Sequence, residues 1–220
     1  MQFTESSSIV SKIGINLPKW VIVIGANTGG PQALAQILPQ FPADFPGAIV
    51  VVQTMRPGFT RVIADQLNHI CKLPVYEPED GEALHSSRIL ITPAASCLQI
   101  NDIENTVLPG YGVFLEETAG STESPTSRID ATMASAAKAF GERAIGILLT
   151  GIGNDGREGM RAISDAGGIT LAQDEASSAV FDLPSSAIDA GVVQKILPLW
   201  NIADNVINLV SGGQANASAA

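Results

Sequence analysis

The chain has 220 residues, of which 45% are hydrophobic, and a formal net charge of −10. This length suits a single domain with a buried core, and an acidic surface repels the phosphates of nucleic acids and of anionic membranes. No apolar run approaches the roughly 20 residues that span a bilayer, and the first residues lack the pattern of a signal peptide. We therefore expect a cytoplasmic protein that neither binds nucleic acid nor inserts into a membrane.

The composition changes at both ends of the chain. Residues 1–18 are polar and aperiodic, which indicates a loose leader, and residues 211–220 are small and polar, which indicates a disordered tail. The domain itself is predicted over 19–210. The two cysteines, Cys71 and Cys97, form neither a zinc signature nor a disulfide scaffold, and we expect no metal and no cofactor.

In chain order, the domain begins with buried strands that alternate with helices. Continuous apolar runs of this length are typical of strands buried on both faces, as in a parallel sheet. The first half is predicted to contain strand 20–24, helix 31–38, strand 48–53 and helix 60–69.

The middle of the chain has shorter, turn-punctuated segments. Short strands are predicted at 75–76, 89–92, 98–100 and 113–115, some of them in an antiparallel hairpin. The alternation then resumes with helix 128–140, strand 144–149, helix 156–166, strand 169–172 and helix 201–210. The whole pattern predicts one doubly wound α/β domain, with a mostly parallel sheet, helices on both faces and a small antiparallel hairpin.

Three loops, at 25–30, 53–57 and 150–156, follow carboxyl ends of the predicted strands, where open parallel sheets carry their sites. The loop after the first strand, GANTGG, has the strand–turn–helix form of a nucleophile elbow with Asn27 at its centre. Because an elbow strains its central residue toward positive φ, which Asn tolerates, this geometry is expected at Asn27. A plain glycine-rich turn stays open as an alternative, whereas a dinucleotide loop would need glycine at that position.

The loop after strand 144–149, TGIGNDG, places Asp155 immediately before a helix. One interpretation is a helix-capping aspartate, and the other is a carboxylate that orients a catalytic base. Spacing alone favours the cap.

Several segments resemble the catalytic domain of chemotaxis protein-glutamate methylesterases, the CheB family, over about 21–210. The resemblance rests on VIVIGANTGGP, AIVVVQTMRPGFT, GILLTGIGNDGREGM and AGGITLAQDE. It implies the family's reaction, in which a Ser–His–Asp triad hydrolyses glutamate methyl esters, and in some members deamidates glutamines, on chemoreceptors.

The matching triad positions depart from that pattern. Asn27 replaces the nucleophilic serine, Thr54 replaces the histidine, and Asp155 alone keeps the family's residue. Backbone N–H groups at Thr28 and Ile152 match the cleft and oxyanion hole, where Ile152 replaces a methionine. The resemblance thus predicts an inactive methylesterase-like domain that binds a chemoreceptor-like or other signalling protein. The alternatives are an active methylesterase or deamidase with relocated catalytic residues, and a small-ligand sensor.

Overall fold

The computed structural model describes residues 16–103, 110–117 and 127–217. A seven-stranded sheet forms its centre, in the order β10-β9-β8-β1-β2-β5-β3, and every pairing in it is parallel. Its strands are β1 (Trp20–Ala26), β2 (Gly47–Gln53), β3 (Val75–Tyr76), β5 (Arg88–Ile91), β8 (Ala144–Leu148), β9 (Ile169–Gln173) and β10 (Lys195–Leu197).

A second, antiparallel sheet has the order β4-β7-β6. Strands β6 (Ser96–Ile103) and β7 (Gly110–Glu117) form the predicted hairpin, and the short β4 (Glu82–Ala83) adds to the side of β7. The predicted α/β fold, with its mostly parallel sheet and small hairpin, is confirmed.

Helices cover both faces of the large sheet, and each face has its own apolar core. Alternate residues of β1 point into the two cores: Ile22 and Ile24 into one, and Val21 and Val23 into the other. The helices are α1 (Gly30–Ile37), α2 (Phe59–Ile70), α3 (Arg128–Phe140), α4 (Arg157–Asp165), α5 (Asp182–Asp189) and α6 (Leu199–Ala217).

The C-terminal helix extends beyond its predicted end. The helix α6 starts at Leu199 and runs to Ala217, and so includes most of the segment 211–220 that composition predicts to be disordered. Local propensity does not explain this, because the segment contains Gly212 and Gly213, which are poor helix formers. The helix continues from preceding turns that are docked through Ile202, Val206 and Val210, which are buried. Residues 218–220, and residues 1–15 of the predicted leader, lie outside the described residues.

Strand β1 lies where the strand order changes direction: the strands of the first half of the chain are added on one side of it, and those of the second half on the other. It pairs with β2 on one side and with β8 on the other. In open α/β sheets, the crevice at such a switch point, at the carboxyl ends of the strands, is where ligands bind.

Candidate functional site

Asn27 follows β1 directly and lies at this switch point. Its N–H donates to the Thr150 carbonyl at 3.1 Å, and its own carbonyl accepts from Gln53 Nε2 at 2.9 Å. The side-chain Nδ2 donates to the Ile152 carbonyl at 3.2 Å. The side-chain amide of Asn27 therefore links the loop after β1 to the loop after β8.

The strained elbow expected at Asn27 is absent, and that expectation is wrong. Among the described residues other than glycine, only Ser87 has a positive φ, at 58°. The residue of this turn with a left-handed backbone conformation is Gly29, with φ of 81°, immediately before α1. Glycine has no Cβ to clash in that conformation, so Asn27 keeps an ordinary backbone.

Thr54 follows β2 and is exposed. Its N–H donates to the Ala26 carbonyl at 3.0 Å, which sets its backbone beside the residue that precedes Asn27. Within 16–103, 110–117 and 127–217, no hydrogen bond involves its hydroxyl. A neutral hydroxyl lacks the basic nitrogen with which imidazole accepts a proton near neutral pH.

Gln53 contacts the backbones of both Asn27 and Thr54 and is buried, with 3% of its surface exposed. Its Nε2 donates to the carbonyls of Asn27, at 2.9 Å, and of Thr54, at 3.1 Å. Its Oε1 is buried without a partner among the described residues, and a Cβ at Gly30 would lie 2.0 Å from it. Sequence reasoning missed this residue, although a single amide at the end of a buried apolar strand was a signal.

Asp155 caps a helix, but not the one that follows it in the sequence. Its Oδ2 accepts from the N–H of Ile129 at 3.1 Å, and its Oδ1 accepts from the N–H of Asp130 at 3.0 Å, both in the first turn of α3. The helix α4 instead starts after Gly156, with φ of 101°. The expectation that Asp155 caps the helix that follows it is therefore wrong, because its oxygens bind the start of α3 instead. The other interpretation, a carboxylate that orients a catalytic base, stays a prediction.

The Asp155 carboxylate lies in a partly buried, charged setting. Burial raises its pKa, and the hydrogen bonds from Ile129 and Asp130 offset part of that rise. The Asp130 charge raises the pKa further, whereas the nearby Arg128 guanidinium lowers it. The carboxylate therefore keeps its cap at a cost in desolvation.

The three predicted positions share one edge of the sheet. Asn27 and Thr54 are joined through Gln53, while Gly156, next to Asp155, packs on Ile129 and Leu148, as Gly25 of β1 also does. In the described part of the chain, no hydrogen bond joins the Asp155 carboxylate to Asn27 or Thr54. That the three side chains lie within triad reach stays a prediction.

The expected cleft donors, Thr28 and Ile152, have unused backbone N–H groups. Across the described residues, neither N–H donates to an acceptor. The side chain of Ile152 is 55% exposed, and the Thr28 hydroxyl donates over 3.4 Å to Asn27 Oδ1. Free N–H groups of this kind can bind a carbonyl or carboxylate oxygen.

Neither histidine of the chain lies near the site. His69 is ten residues into α2, about 15 Å along the axis from the end of the helix nearest Thr54. His85 lies two residues before Ser87, whose N–H donates to the carbonyl of Gly47, the first residue of β2. Thr54 follows the opposite end of that strand, roughly 20 Å away at about 3.3 Å per residue.

Known proteins resemble the chain over most of its length. A profile of the family described as CheB methylesterase matches residues 22–206. The chain belongs to the CheB methylesterase family. A protein-glutamate methylesterase/protein-glutamine glutaminase of Moorella thermoacetica is 39% identical over 87% of this chain and 44% of the relative. One from Carboxydothermus hydrogenoformans is 41% identical over 84% of this chain and 54% of the relative.

The fold has a close structural counterpart. The crystal structure of the Thermotoga maritima CheB methylesterase catalytic domain matches with a TM-score of 0.80 and 34% identity, over 86% of this chain and 98% of that domain. The chain spans about half the length of the curated CheB relatives it matches.

The described residues contain neither a metal-binding group of side chains nor a membrane-spanning helix. In the residues that the structure describes, no group of three or more His, Cys, Asp and Glu side chains is placed to hold a metal ion. No helix of that same part has the length and apolarity needed to cross a bilayer.

Proposed function

We propose that this CheB-family domain binds a signalling protein, of the chemoreceptor type that the family acts on, without hydrolysing it. The observation that carries the proposal is the hydrogen bond made by the side-chain amide of Asn27. At the position of the family's nucleophile, an amide donates to the Ile152 carbonyl. An amide nitrogen is no nucleophile, because its lone pair is delocalised into the carbonyl.

The base position supports the same conclusion. Thr54 offers only a hydroxyl, and both histidines lie far from the carboxyl edge of the sheet. Loss of a triad serine or histidine can cost on the order of 10⁶ in kcat. Donors that remain, such as an oxyanion hole, leave a residual acceleration of about 10³–10⁴ over water, which is no useful turnover.

A relocated nucleophile has little support from the contacts. Thr28 carries the hydroxyl next to Asn27 in the sequence, but that hydroxyl donates to Asn27 Oδ1 at 3.4 Å. An amide oxygen is too weak a base to take the proton of an alcohol. The alternative of an active hydrolase therefore lacks a base for its candidate nucleophile.

The remaining cleft is suited to binding. The N–H groups of Thr28 and Ile152 can receive an acceptor from the partner. Exposed apolar side chains lie on the loop after β8 and at the start of α2: Ile152 is 55% exposed, Phe59 57% and Val62 51%. Exposed apolar side chains beside free polar groups are typical of protein-binding surfaces. A cytoplasmic location is part of the proposal.

The test combines an assay of hydrolysis with one of binding. A purified cytoplasmic fragment of a methylated chemoreceptor is mixed with the protein, and both methanol release and complex formation are measured. We expect no methanol above background and saturable binding, weakened by Ile152→Asp but not by the matched change Ile196→Asp. Ile196 is 51% exposed on the edge strand β10, away from the cleft.

Two results would contradict the proposal. Methanol release by the wild-type protein would show a working hydrolase. Absence of binding, or equal loss of binding in the two aspartate variants, would remove the case for a partner at this cleft.

A further inference from the structure

A second cleft lies beside the β1 turn, and Thr28 and Gly29 of that turn and Thr150 of the loop after β8 line part of it. Its volume is about 510 Å³, and it opens between α1, the segment 173–179 and the first residue of α6. This volume is within the range of about 300–1,000 Å³ that is usual for ligand sites. All of its lining residues are uncharged, although the chain as a whole carries 34 charged residues, 12 basic and 22 acidic.

One wall of this cleft is fixed by hydrogen bonds. Thr150 Oγ1 contacts the Thr28 carbonyl at 2.9 Å and both backbone groups of Val180, at 2.9 and 3.0 Å. Gln173, fully buried, accepts from the Thr150 N–H and donates to the Ser177 carbonyl, each at 2.8 Å. This wall gives the cleft a fixed shape but little unused hydrogen-bonding capacity.

The opposite wall has unused capacity. Gln32 and Gln36 lie one turn apart on α1, both exposed and both lining the cleft. Across the part of the chain that the structure describes, neither side-chain amide has a hydrogen-bond partner. Residues at this spacing have Cβ atoms about 5–6 Å apart on one helix face, so the wall presents two donor–acceptor pairs in a row.

This arrangement selects a class of ligand. An amide carries one donor side and one acceptor side, and so matches the free groups of Gln32 and Gln36. A carboxylate would find no cation in the lining. Asp174 does not line the cleft, and its Oδ1 accepts from the Ser177 N–H at 3.0 Å. A charged ligand would lose hydration here without gaining an ion pair.

We propose that this cleft binds an uncharged, amide-bearing peptide segment, held by Gln32 and Gln36. It lies next to the triad positions and shares Thr28 with the cleft of the proposed function, but Gln32 and Gln36 belong to this cleft. The inference rests on the proposed function in one respect, that the ligand is a polypeptide. Its test uses neither hydrolysis nor the Ile152 surface, so each proposal can fail without the other.

The experiment is a titration of the full ¹⁵N-labelled chain, followed by NMR. The probes are acetyl-Ala-Asn-Ala-amide, the isosteric acetyl-Ala-Asp-Ala-amide and free L-asparagine. We expect saturable shifts of the Gln32 and Gln36 side-chain amides with the first probe, with a Kd of about 1 mM. Affinity for the aspartate peptide and for the free amino acid should be at least about tenfold lower, because both bring unpaired charges.

Variants separate this cleft from general surface binding. Gln32→Ala with Gln36→Ala should weaken binding of the asparagine peptide at least about tenfold. The control is Gln66→Ala, at an exposed glutamine on α2, which should bind as wild type does. Ala179→Phe, at an exposed lining position, should block binding by filling the cleft.

Three results with the peptides and variants would overturn the proposal. These are no saturable shift with the asparagine peptide, equal binding of the aspartate peptide, and unchanged affinity in a folded double-alanine variant. Tighter binding of free L-asparagine than of the peptide would also overturn it, in favour of a small-metabolite site.

Discussion

The loops after β2 and after β8 reach the same edge of the sheet, but they differ in what holds them. The loop after β8 is tied to the rest of the fold: Thr150 is buried and bonded on both sides, and Asp155 holds the first turn of α3. The loop after β2 is exposed at Thr54 and at 56–58, and its first residue is held only through its backbone.

This difference separates two reasons for keeping a residue. In the proposed correspondence with the family's triad, Asp155 matches the family's aspartate, and in the structure it satisfies two N–H groups at the start of α3. Thr54, which the same correspondence sets against the histidine, has no comparable side-chain contact among the described residues. Helix capping therefore gives a structural reason for an aspartate at position 155 that does not depend on catalysis.

The largest expected effect is on stability at Asp155. Asp155→Ala removes both acceptors from the start of α3 and should lower the free energy of unfolding by about 2–3 kcal/mol. Thr54→Ala should change it by less than about 0.5 kcal/mol, because the side chain is exposed and unbonded. Urea denaturation of both variants measures the difference.

The control for the lost charge is Asp165→Ala, at an exposed aspartate near the end of α4. It should unfold at nearly the same urea concentration as wild type. Equal stability of the Asp155 and Thr54 variants would contradict the contrast between the two loops.

Gly30→Ala should have a smaller effect on the free energy of unfolding. It tests Gln53, whose side chain donates to the carbonyls of both Asn27 and Thr54. A Cβ at Gly30 would lie 2.0 Å from Gln53 Oε1 and 2.9 Å from the Ala26 Cβ. Gly30→Ala should therefore cost about 1–2 kcal/mol through overpacking. Gly212→Ala in α6, where a Cβ meets nothing within 4 Å, should be neutral or slightly stabilising, and urea denaturation of both variants measures the difference.

The smallest effect is the pH dependence of the Asp155 cap. Burial raises the folded-state pKa of Asp155 above 3.8, so the folded protein binds more protons than the unfolded chain between the two pKa values. The stability of wild type relative to Asp155→Asn should thus be greatest below pH 3.8 and fall as pH rises through the folded pKa. A relative stability that increases with pH in urea titrations would show that the pKa is lowered instead.

Much of the fold was predictable, because its strands are long apolar runs. The strands at 20–24 and 48–53 lie within β1 and β2, whose residues are buried almost throughout. The edge strand β10 was missed, since three residues carry no period. The helix α5 was missed, since its eight residues DLPSSAID include a proline and two serines, which are typical of turns.

The site was predictable only in part. The family motifs place Asn27 and Asp155 at strand ends, but they do not reveal that Asp155 caps α3, since that contact spans 26 residues. The Gln53 bridge and the uncharged cleft beside α1 likewise depend on segments that meet only in the folded chain. The expected strain at Asn27 was wrong because the glycine two residues later takes the left-handed conformation.

The most direct test of the central claim, that two catalytic groups are lost from a preserved frame, is repair of the triad. Asn27→Ser and Thr54→His are made singly and together, and methanol release from a methylated chemoreceptor fragment is measured. Asp155 oxygens retain lone pairs for an imidazole N–H, and the N–H groups of Thr28 and Ile152 remain free. Wild type and both single variants should release no methanol above background, because the triad acts as a unit. The double variant should release methanol, although side chains misplaced by about 1 Å would lower its rate roughly 10²-fold. A folded double variant no faster than wild type would contradict the preserved frame.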